Sequence, residues 1–391
     1  MLKGFATDVG TLAYSKRYSA LTYQNFGRTS LVVSGAGFGG YRIDRSSDAH
    51  QEALTKALQS GINIVDTSAN YADGGSERLI GAVLGDLASR EEIRRSEIVV
   101  VSKGGYLQGE NYRLSQERQR GGRPFPEIVP YGEGLEHCIH PQFLCEQIDK
   151  SLERLQLDTI DCYLLHNPEY YLKWAEGMDV PATEAQEEYL RRIREAFLYL
   201  EEEVARGRIR YYGISSNTFV SSQEDYAFTS LSKAWEIAET IRSDHHFRVI
   251  ECPCNLFEAG AITRTNQPGG ESLLEFAVKT GLAVLINRPL NAIQGNGIIR
   301  LAENVYKEQA AKEAVIFCKQ VAAVDPEWNH AGSLAHLALR ALRSTKGVTA
   351  VLVGMRQVSY VEDVLQELHR PCVVTDRKSS WEKVQEITAA R

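Results

Sequence analysis

Residues 62–71 read INIVDTSANY, an apolar run that ends in an acid, with a tyrosine five residues further on. Ile62, Ile64 and Val65 read as a buried strand, and Asp66 stands where that strand meets the rim of a sheet. In α/β proteins a strand-end acid is often placed for chemistry. Outward from this stretch, short β-rich apolar segments alternate with amphipathic helical ones from about residue 31 to 368, with no low-complexity linker. That rhythm predicts βα units on a parallel sheet. Strands are expected near residues 33–37, 62–66, 98–103, 160–166, 209–214, 249–254, 283–287 and 350–353. Between them, patterns such as Phe143, Leu144, Ile148, Leu152 and Leu155 turn one apolar stripe toward the sheet at helical spacing. No strand reads as an exposed edge, which favours a single-domain (β/α)8 TIM barrel of the α/β class over an open doubly wound sheet. The expected organisation is an N-terminal extension over 1–20, the barrel over 21–370 and a C-terminal tail over 371–391. Two interruptions, 104–140 and 167–184, follow strands and are expected as long loops on the C-terminal face, where such loops shape substrate pockets.

The chain of 391 residues has a formal charge of −7 and scatters its lysines and arginines. No basic stripe is present for nucleic acid or anionic lipid, so neither is expected as a partner. No apolar run approaches the ~20 residues of a membrane span. The opening MLKGFATDVGTLAYSKRYSA lacks a signal-peptide h-region and strong transit-peptide character. A soluble, cytoplasmic protein is expected, and the sequence leaves its oligomeric state open. Seven cysteines at irregular spacings argue for reduced thiols. Cys252-Pro253-Cys254 puts two sulfurs on one strand face, and Glu136-His137-Cys138-Ile139-His140 gathers metal-capable groups. The first lacks nearby partner ligands and the second reads as chance clustering, so no metal is expected.

Asp66, Lys103 and His166 end three successive expected strands, and Tyr71 lies in the loop after the first of them. Taken singly, each reads more readily as a rim residue than as a catalyst. A barrel that gathers its strand ends around one pocket changes that reading. A rival account starts from Gly35-Ala36-Gly37-Phe38-Gly39-Gly40, which fits GxGxxG after a strand, with Asp66 where a Rossmann fold places its ribose-binding acid. There the last glycine should already lie in a helix, whereas the helical pattern begins only near Ser47 or Asp48. The Rossmann reading also leaves Tyr71, Lys103 and His166 without roles.

The blocks FGRTSLVVSGAGFGG (26–40), GINIVDTSANYADGGSERLIGAVL, VVSKGG, SLERLQLDTIDCYLLHNP, GRIRYYGISSN and VTAVLVGMR, in this order, resemble the aldo-keto reductase family over most of the chain. The resemblance implies a catalytic tetrad of Asp66, Tyr71, Lys103 and His166. Tyr71 would donate the proton to a carbonyl oxygen as hydride reaches its carbon. A free phenol titrates near about 10, and the Lys103 ammonium is expected to stabilise its anion. Asp66 would hold the lysine, and His166 would donate a hydrogen bond to the substrate oxygen.

The same resemblance implies NADPH, with NADH as the alternative, stretched across the barrel mouth. Ser215, Ser216 and Asn217 would reach the nicotinamide carboxamide, although GISSN also reads as a capped strand-to-helix turn. Gly40, Tyr41, Arg288, Pro289 and Leu290 would contact the cofactor. Glu251 stands where relatives commonly carry Gln, and Asn287 where they commonly stack an aromatic ring on the nicotinamide. After the last strand, Gly354, Arg356 and Asp363 would hold the adenosine phosphate. Arg356 could instead stack on adenine, pair with Glu362 or lie in solvent.

The implied function is reduction of an aldehyde or ketone, or oxidation of an alcohol or sugar in reverse. The alternative is a cofactor-binding regulatory or scaffolding subunit resembling channel-associated β-subunits. A Schiff-base lyase or isomerase is disfavoured, because a lysine facing an aspartate stays protonated.

Overall fold

A computed structural model describes residues 1–294, 297–301, 308–329 and 332–390. Eight parallel strands close into a barrel: β1 (Ala36–Gly39), β2 (Ile64–Asp66), β3 (Val99–Gly104), β4 (Ile160–His166), β5 (Ile209–Ser215), β6 (Phe247–Pro253), β7 (Ala283–Asn287) and β8 (Ala350–Val353). Pairing of β8 with β1 completes the ring, so no barrel strand keeps a free edge. This is the (β/α)8 architecture expected from the sequence.

Strand alternation decides what fills the barrel and what crowns it. Ile64, Val99, Val101, Cys162, Leu164, Val249, Ala283, Leu285, Ala350 and Leu352 form one interior cluster, whereas Val65, Val100, Tyr163, Leu165, Ile214 and Ile250 belong to the outer core against the helices. On β2 to β7 the next interior position, at the C-terminal end, is Asp66, Lys103, His166, Ser215, Glu251 and Asn287 in turn. Register keeps this layer level, for Ser215 pairs with both His166 and Glu251. Gly213 is forced by packing, since a Cβ there would stand 1.8 Å from the Val249 carbonyl oxygen.

The helix predicted from Phe143, Leu144, Ile148, Leu152 and Leu155 spans Pro141–Leu155, with Pro141 in its first turn and all five residues buried. Its N-cap is His140, whose Nδ1 accepts from the Gln142 N–H at 3.2 Å.

The first expected strand, 33–37, is corrected. The chain breaks at Gly35, and Val32–Ser34 pairs antiparallel with Tyr23–Asn25 as a hairpin. Phe26, Leu31 and Val33 of this hairpin join the interior cluster and close the barrel's N-terminal end. The apolar pattern was real, but it served two elements.

The two interruptions are folded. Residues 104–140 hold a three-stranded sheet of Tyr106–Leu107, Val129–Gly132 and Leu135–His137 and a helix, Gly109–Arg120. Residues 167–184 hold the helix Tyr170–Gly177 and the start of Ala182–Ala205.

The chain ends are folded too. In the helix Asp8–Arg17 the buried Tyr14 hydroxyl donates to the Leu58 carbonyl at 2.5 Å. In the helix Lys378–Ala389 Trp381 packs 5.6 Å from Trp328 and donates to Thr345 Oγ1. Among the described residues no helix is long and apolar enough to cross a membrane.

The glycines of 35–40 have packing roles. A Cβ on Gly37 would meet Leu352 Cδ2 at 2.9 Å, and one on Gly40 would meet the Asp66 carbonyl oxygen at 2.6 Å. The segment after them turns before a helix starts at Asp48, with Ser47 at the N-cap position but no capping bond from its side chain. The closed barrel removes the Rossmann reading.

Candidate active site

Lys103 lies fully buried at the centre of the C-terminal layer. Its Nζ donates to Asp66 Oδ1 at 2.5 Å, to the Thr67 carbonyl at 3.2 Å and to the Tyr71 hydroxyl at 3.4 Å. A second carboxylate completes the set, for Glu251 Oε2 stands 3.2 Å from the same nitrogen. Tyr71 reaches the lysine from a one-turn helix, Tyr71–Gly74, in which Ala72 and Asp73 take left-handed φ of 49° and 52°. Its ring lies 5.8 Å from that of His166, edge on. The four residues that end or follow β2, β3 and β4 thus surround one point.

Electrostatics within this group follow from burial and from one cation shared by two acids. Burial pushes the Asp66 carboxyl up to about 7, with Lys103 opposing and Glu251 reinforcing the rise. Burial disfavours the Lys103 ammonium, but Asp66 and Glu251 outweigh it and raise the lysine above its ordinary value. Burial also raises the Tyr71 phenol; Lys103 opposes this and the two carboxylates add to it. Lys103 thus acts on the phenol in the expected direction, but burial outweighs it and the carboxylates beside the lysine add to burial's side. The sequence argument counted one acid beside the lysine, whereas the fold supplies two.

Burial, then Lys103 and His137, hold His166 well below the ordinary histidine range, so its ring is neutral. Its Nδ1 lies 3.0 Å from Ser68 Oγ. That hydroxyl has one proton and three acceptors within reach, the others being Asn70 Oδ1 at 2.7 Å and the Lys103 carbonyl at 3.3 Å. Asn70 in turn donates to Gln108 Oε1 at 3.0 Å.

The Glu136–His140 stretch is used structurally. His137 Nε2 must carry a proton, because its partner at 2.8 Å is the His166 carbonyl, which only accepts. Burial keeps this ring neutral by lowering it to about 4. Glu136 accepts from Ser115 and Gln116, and the Cys138 thiol donates to the Pro126 carbonyl.

Aromatic side chains from the folded interruptions stand beside the four residues. The Tyr106 ring is 4.7 Å from His166 and 5.1 Å from Tyr170, and Tyr131 is 4.4 Å from Tyr170. Tyr41, more than half exposed, stands edge-on to Tyr71 at 5.2 Å. The sequence reading named none of Ser68, Tyr106, Tyr131 and Tyr170 as site residues. Ser68 and Tyr106 were findable, each lying two residues beyond a tetrad member or its strand end. Tyr170 lies in 167–184 and Tyr131 in 104–140, interruptions expected to shape a substrate pocket, but only the tertiary fold sets the Tyr131 ring against Tyr170.

The residues expected at the cofactor divide. Ser215 Oγ donates to Glu251 Oε1 at 3.1 Å, and Asn287 Nδ2 donates to the same oxygen at 2.9 Å. The buried Asn287 Oδ1 has no donor among the described residues. That orphan acceptor suits a carboxamide NH2, so these residues fit a nicotinamide. Asn217 donates its backbone N–H to the buried Glu169 at 2.9 Å. Ser216 falls on the other side of the strand and joins Thr218 and Thr229 in a hydroxyl cluster. Its hydroxyl is engaged within that cluster, unlike the Ser215 hydroxyl, which joins Glu251.

Gly40 is explained by packing, as above. Arg288 has a left-handed φ of 52° and is paired with Glu258 at 3.0 Å. Pro289 is buried and Leu290 half-buried, packed on the outer core. Asp363 accepts from His336 Nε2 at 2.9 Å, so its carboxylate is engaged within the fold. Gly354 and Arg356 are exposed after β8, and a Cβ on Gly354 would meet nothing within 4 Å. Among the described residues no hydrogen bond or ion pair holds Arg356, and none joins it to Glu362. The hairpin Asn291–Gln294 with Gly297–Arg300 follows β7 and was not foreseen.

The chain is 24% identical over 201 residues to 6-dehydroglucose reductase of Novosphingobium aromaticivorans, covering 50% of this chain and 52% of that protein. It thus matches about half the length of that relative. The fold superposes on a holo-form aldo-keto reductase of Bacillus halodurans with a TM-score of 0.58 at 20% identity, covering 93% and 96% of the two chains. It superposes on an aldo-keto reductase of Klebsiella pneumoniae, solved in complex with NADPH, with a TM-score of 0.55 at 17% identity, covering 94% and 95%. The sequence profile of the Aldo/keto reductase family matches residues 35–386, from the first barrel strand into the last helix, and the chain belongs to that family.

Proposed function

We propose that the protein is an NADPH-dependent oxidoreductase that reduces an aldehyde or ketone to an alcohol, or runs the reverse oxidation, with Tyr71 as the proton donor. The observation that carries this reading is the contact chain Asp66–Lys103–Tyr71, with His166 facing the same point. The bound cofactor supplies hydride to the carbonyl carbon. All other tasks fall to the chain.

The raised Tyr71 phenol is protonated throughout the physiological range, as a proton donor must be. When its proton passes to the substrate oxygen, the Lys103 ammonium stands 3.4 Å from the phenolate left behind. His166, being neutral, donates from one nitrogen only. For Nε2 to donate to the substrate oxygen, Nδ1 must accept, and the Ser68 hydroxyl at 3.0 Å is placed to supply that proton. The Asn70 amide then presents its NH2 to Ser68 and its oxygen to Gln108, whose amide turns its own NH2 to meet it.

Ser215, Asn287 and Glu251 would hold the carboxamide. Arg356, exposed and without a partner among the described residues, would meet the adenosine 2′-phosphate and favour NADPH over NADH. The Klebsiella relative's complex with NADPH supports that preference. The tyrosine-rich wall of Tyr41, Tyr106, Tyr131 and Tyr170 offers ring faces and hydroxyls to a small carbonyl or sugar. The named relative that reduces a dehydroglucose supports the same substrate class.

The test follows NADPH absorbance across aldehydes, ketones and sugars for the parent and for Tyr71→Phe. Loss of the proton donor should lower kcat by about 10² to 10⁴ and leave NADPH affinity nearly unchanged. An unchanged kcat removes Tyr71 from the role. Tight NADPH binding without turnover of any carbonyl would move the reading to a cofactor-binding regulatory subunit.

A further inference from the structure

Three buried ionisable groups, one base and two acids, meet at the C-terminal end of the barrel. Lys103 contributes one positive charge, while Asp66 and Glu251 contribute two carboxylates, at 2.5 and 3.2 Å from the same nitrogen. All three are at most 4% exposed. One Glu251 oxygen accepts from the Ser215 hydroxyl and the Asn287 amide, and the other stands 3.2 Å from the ammonium as an ion pair without a hydrogen bond among the described residues. Among the described residues Asp66 has the ammonium as its one side-chain donor.

A buried excess charge is costly unless a proton or another cation joins it. Hydride transfer dictates which cation comes near. The substrate carbon is one bond from the oxygen that Tyr71 protonates, so the nicotinamide ring has to lie against that carbon. The oxidised ring carries a positive charge that the reduced ring lacks.

We propose that Glu251, acting with Asp66, makes this pocket sense the redox state of the cofactor, binding the oxidised form more tightly than the reduced form by supplying the counter-charge to its ring. The inference rests on the oxidoreductase reading above and deepens it. Where a glutamine would be neutral, Glu251 tips the floor negative. Binding of the oxidised form then displaces the proton that the acid pair otherwise retains. In the direction of carbonyl reduction the internal equilibrium is drawn toward the oxidised cofactor, and release of that product is slow.

The groups facing the acid pair are Asp66 on β2, Tyr71 after it, Lys103 on β3, the neutral His166 on β4 and the uncharged Ser215 and Asn287 on β5 and β7. Cys252, beside Glu251 on β6, is buried with its thiol pushed well up. Of these, Asp66 is the group burial brings into the neutral range.

The experiment measures dissociation constants for NADP+ and NADPH from pH 6 to 8, and the protons released on binding, by calorimetry in buffers of different ionisation enthalpy. The parent and Glu251→Gln are compared. Both cofactor forms carry the same 2′-phosphate, so the ratio of their constants cancels its titration. In the parent the ratio should favour NADP+, increasingly so as pH rises, with a fraction of a proton released on NADP+ binding only. In Glu251→Gln the preference should fall by on the order of tenfold, the size of a charge–charge term at several ångströms in a partly screened site, and the proton release should vanish.

A ratio within twofold of the parent, or equal proton release for both forms, overturns the proposal while leaving the oxidoreductase reading in place. Failure of either form to bind the parent overturns that reading and this proposal with it. Should the variant not fold, proton release by the parent alone decides the question.

Discussion

Replacing Lys103 with methionine tests the charge arrangement from the opposite side. At 2.5 and 3.2 Å from Asp66 and Glu251, the ammonium gains about 5–7 kcal/mol with each at an effective dielectric near 20, before desolvation is charged against it. Breaking a buried pair costs about 3–5 kcal/mol net when the remaining charge stays ionised. In Lys103→Met the two acids have a way out, which is to stay protonated. The sign follows from linkage: an acid whose folded pKa is raised contributes stability that is fully present below its unfolded pKa and lost as pH rises through the folded value. In the parent one acid, Asp66 at about 7, behaves this way; in the variant both do.

The variant should therefore be nearly as stable as the parent near pH 5 and fall behind it by about 1.4 kcal/mol per pH unit above that. By pH 7 to 8 the deficit is about 3–4 kcal/mol. Urea unfolding followed by circular dichroism at pH 5, 6, 7 and 8 measures it. A deficit that is constant with pH, or that grows on acidification, would refute the claim that Lys103 neutralises two buried acids.

Two further outcomes follow from the same geometry. Ser68→Ala should lower kcat/KM by about 5- to 30-fold, the worth of one hydrogen bond of about 1–2 kcal/mol; nitrogen NMR should show the neutral His166 ring moving from the Nε2–H tautomer to a mixture, and an unshifted spectrum would remove Ser68 as the group that orients it. Arg356→Ala should cost roughly 1.5–3 kcal/mol of NADPH affinity and much less for NADH, whereas equal losses for both would leave adenine stacking or a structural role.

The barrel was legible because its signal is repeated. Eight apolar segments separated by helical patterns fix the architecture even where one boundary is wrong, as at Gly35, where a single apolar run proved to be a hairpin strand and a barrel strand. Asp66, Lys103 and His166 were legible because alternation along three strands sends the residue two past an interior valine, isoleucine or leucine to the mouth. The same rule points Glu251 inward, two past Val249. Its consequence escaped the sequence reading, which weighed Glu251 as a lost glutamine at the cofactor and not as a second acid on Lys103. Only the closing of β3 and β6 around one centre shows that, since no local pattern relates positions 103 and 251. The ends of the chain were opaque for a different reason. Trp381 and Arg377 are held by Trp328 and Asp325, partners more than fifty residues away, and short segments of this kind carry little periodicity of their own.

The backbone at the mouth adds a reason for the site to hold its shape. Of the non-glycine residues with left-handed φ, Arg42 follows β1, Ala72 and Asp73 follow β2, Asn167 follows β4 and Arg288 follows β7. For residues other than glycine this region costs roughly 1 kcal/mol or more each and persists only where surrounding contacts impose it. Those contacts are visible. Asn167 gives its backbone N–H to Ser215 and its side chain to Tyr106. Asp73 accepts from the Glu110 backbone. Arg288 is pinned by Glu258, and its carbonyl accepts from Asn255. The strain is thus borne by the folded interruptions and by the loop after β6, the same parts that supply Tyr106 and shelter the layer of charged groups. The 104–140 insertion accordingly does two jobs. It lines the pocket with rings, and through Glu110 and Tyr106 it holds the two strand-end loops that carry Tyr71 and follow His166. Shortening it should therefore loosen the loop that carries Tyr71 as well as remove the rings beside it, because the same insertion makes both contacts.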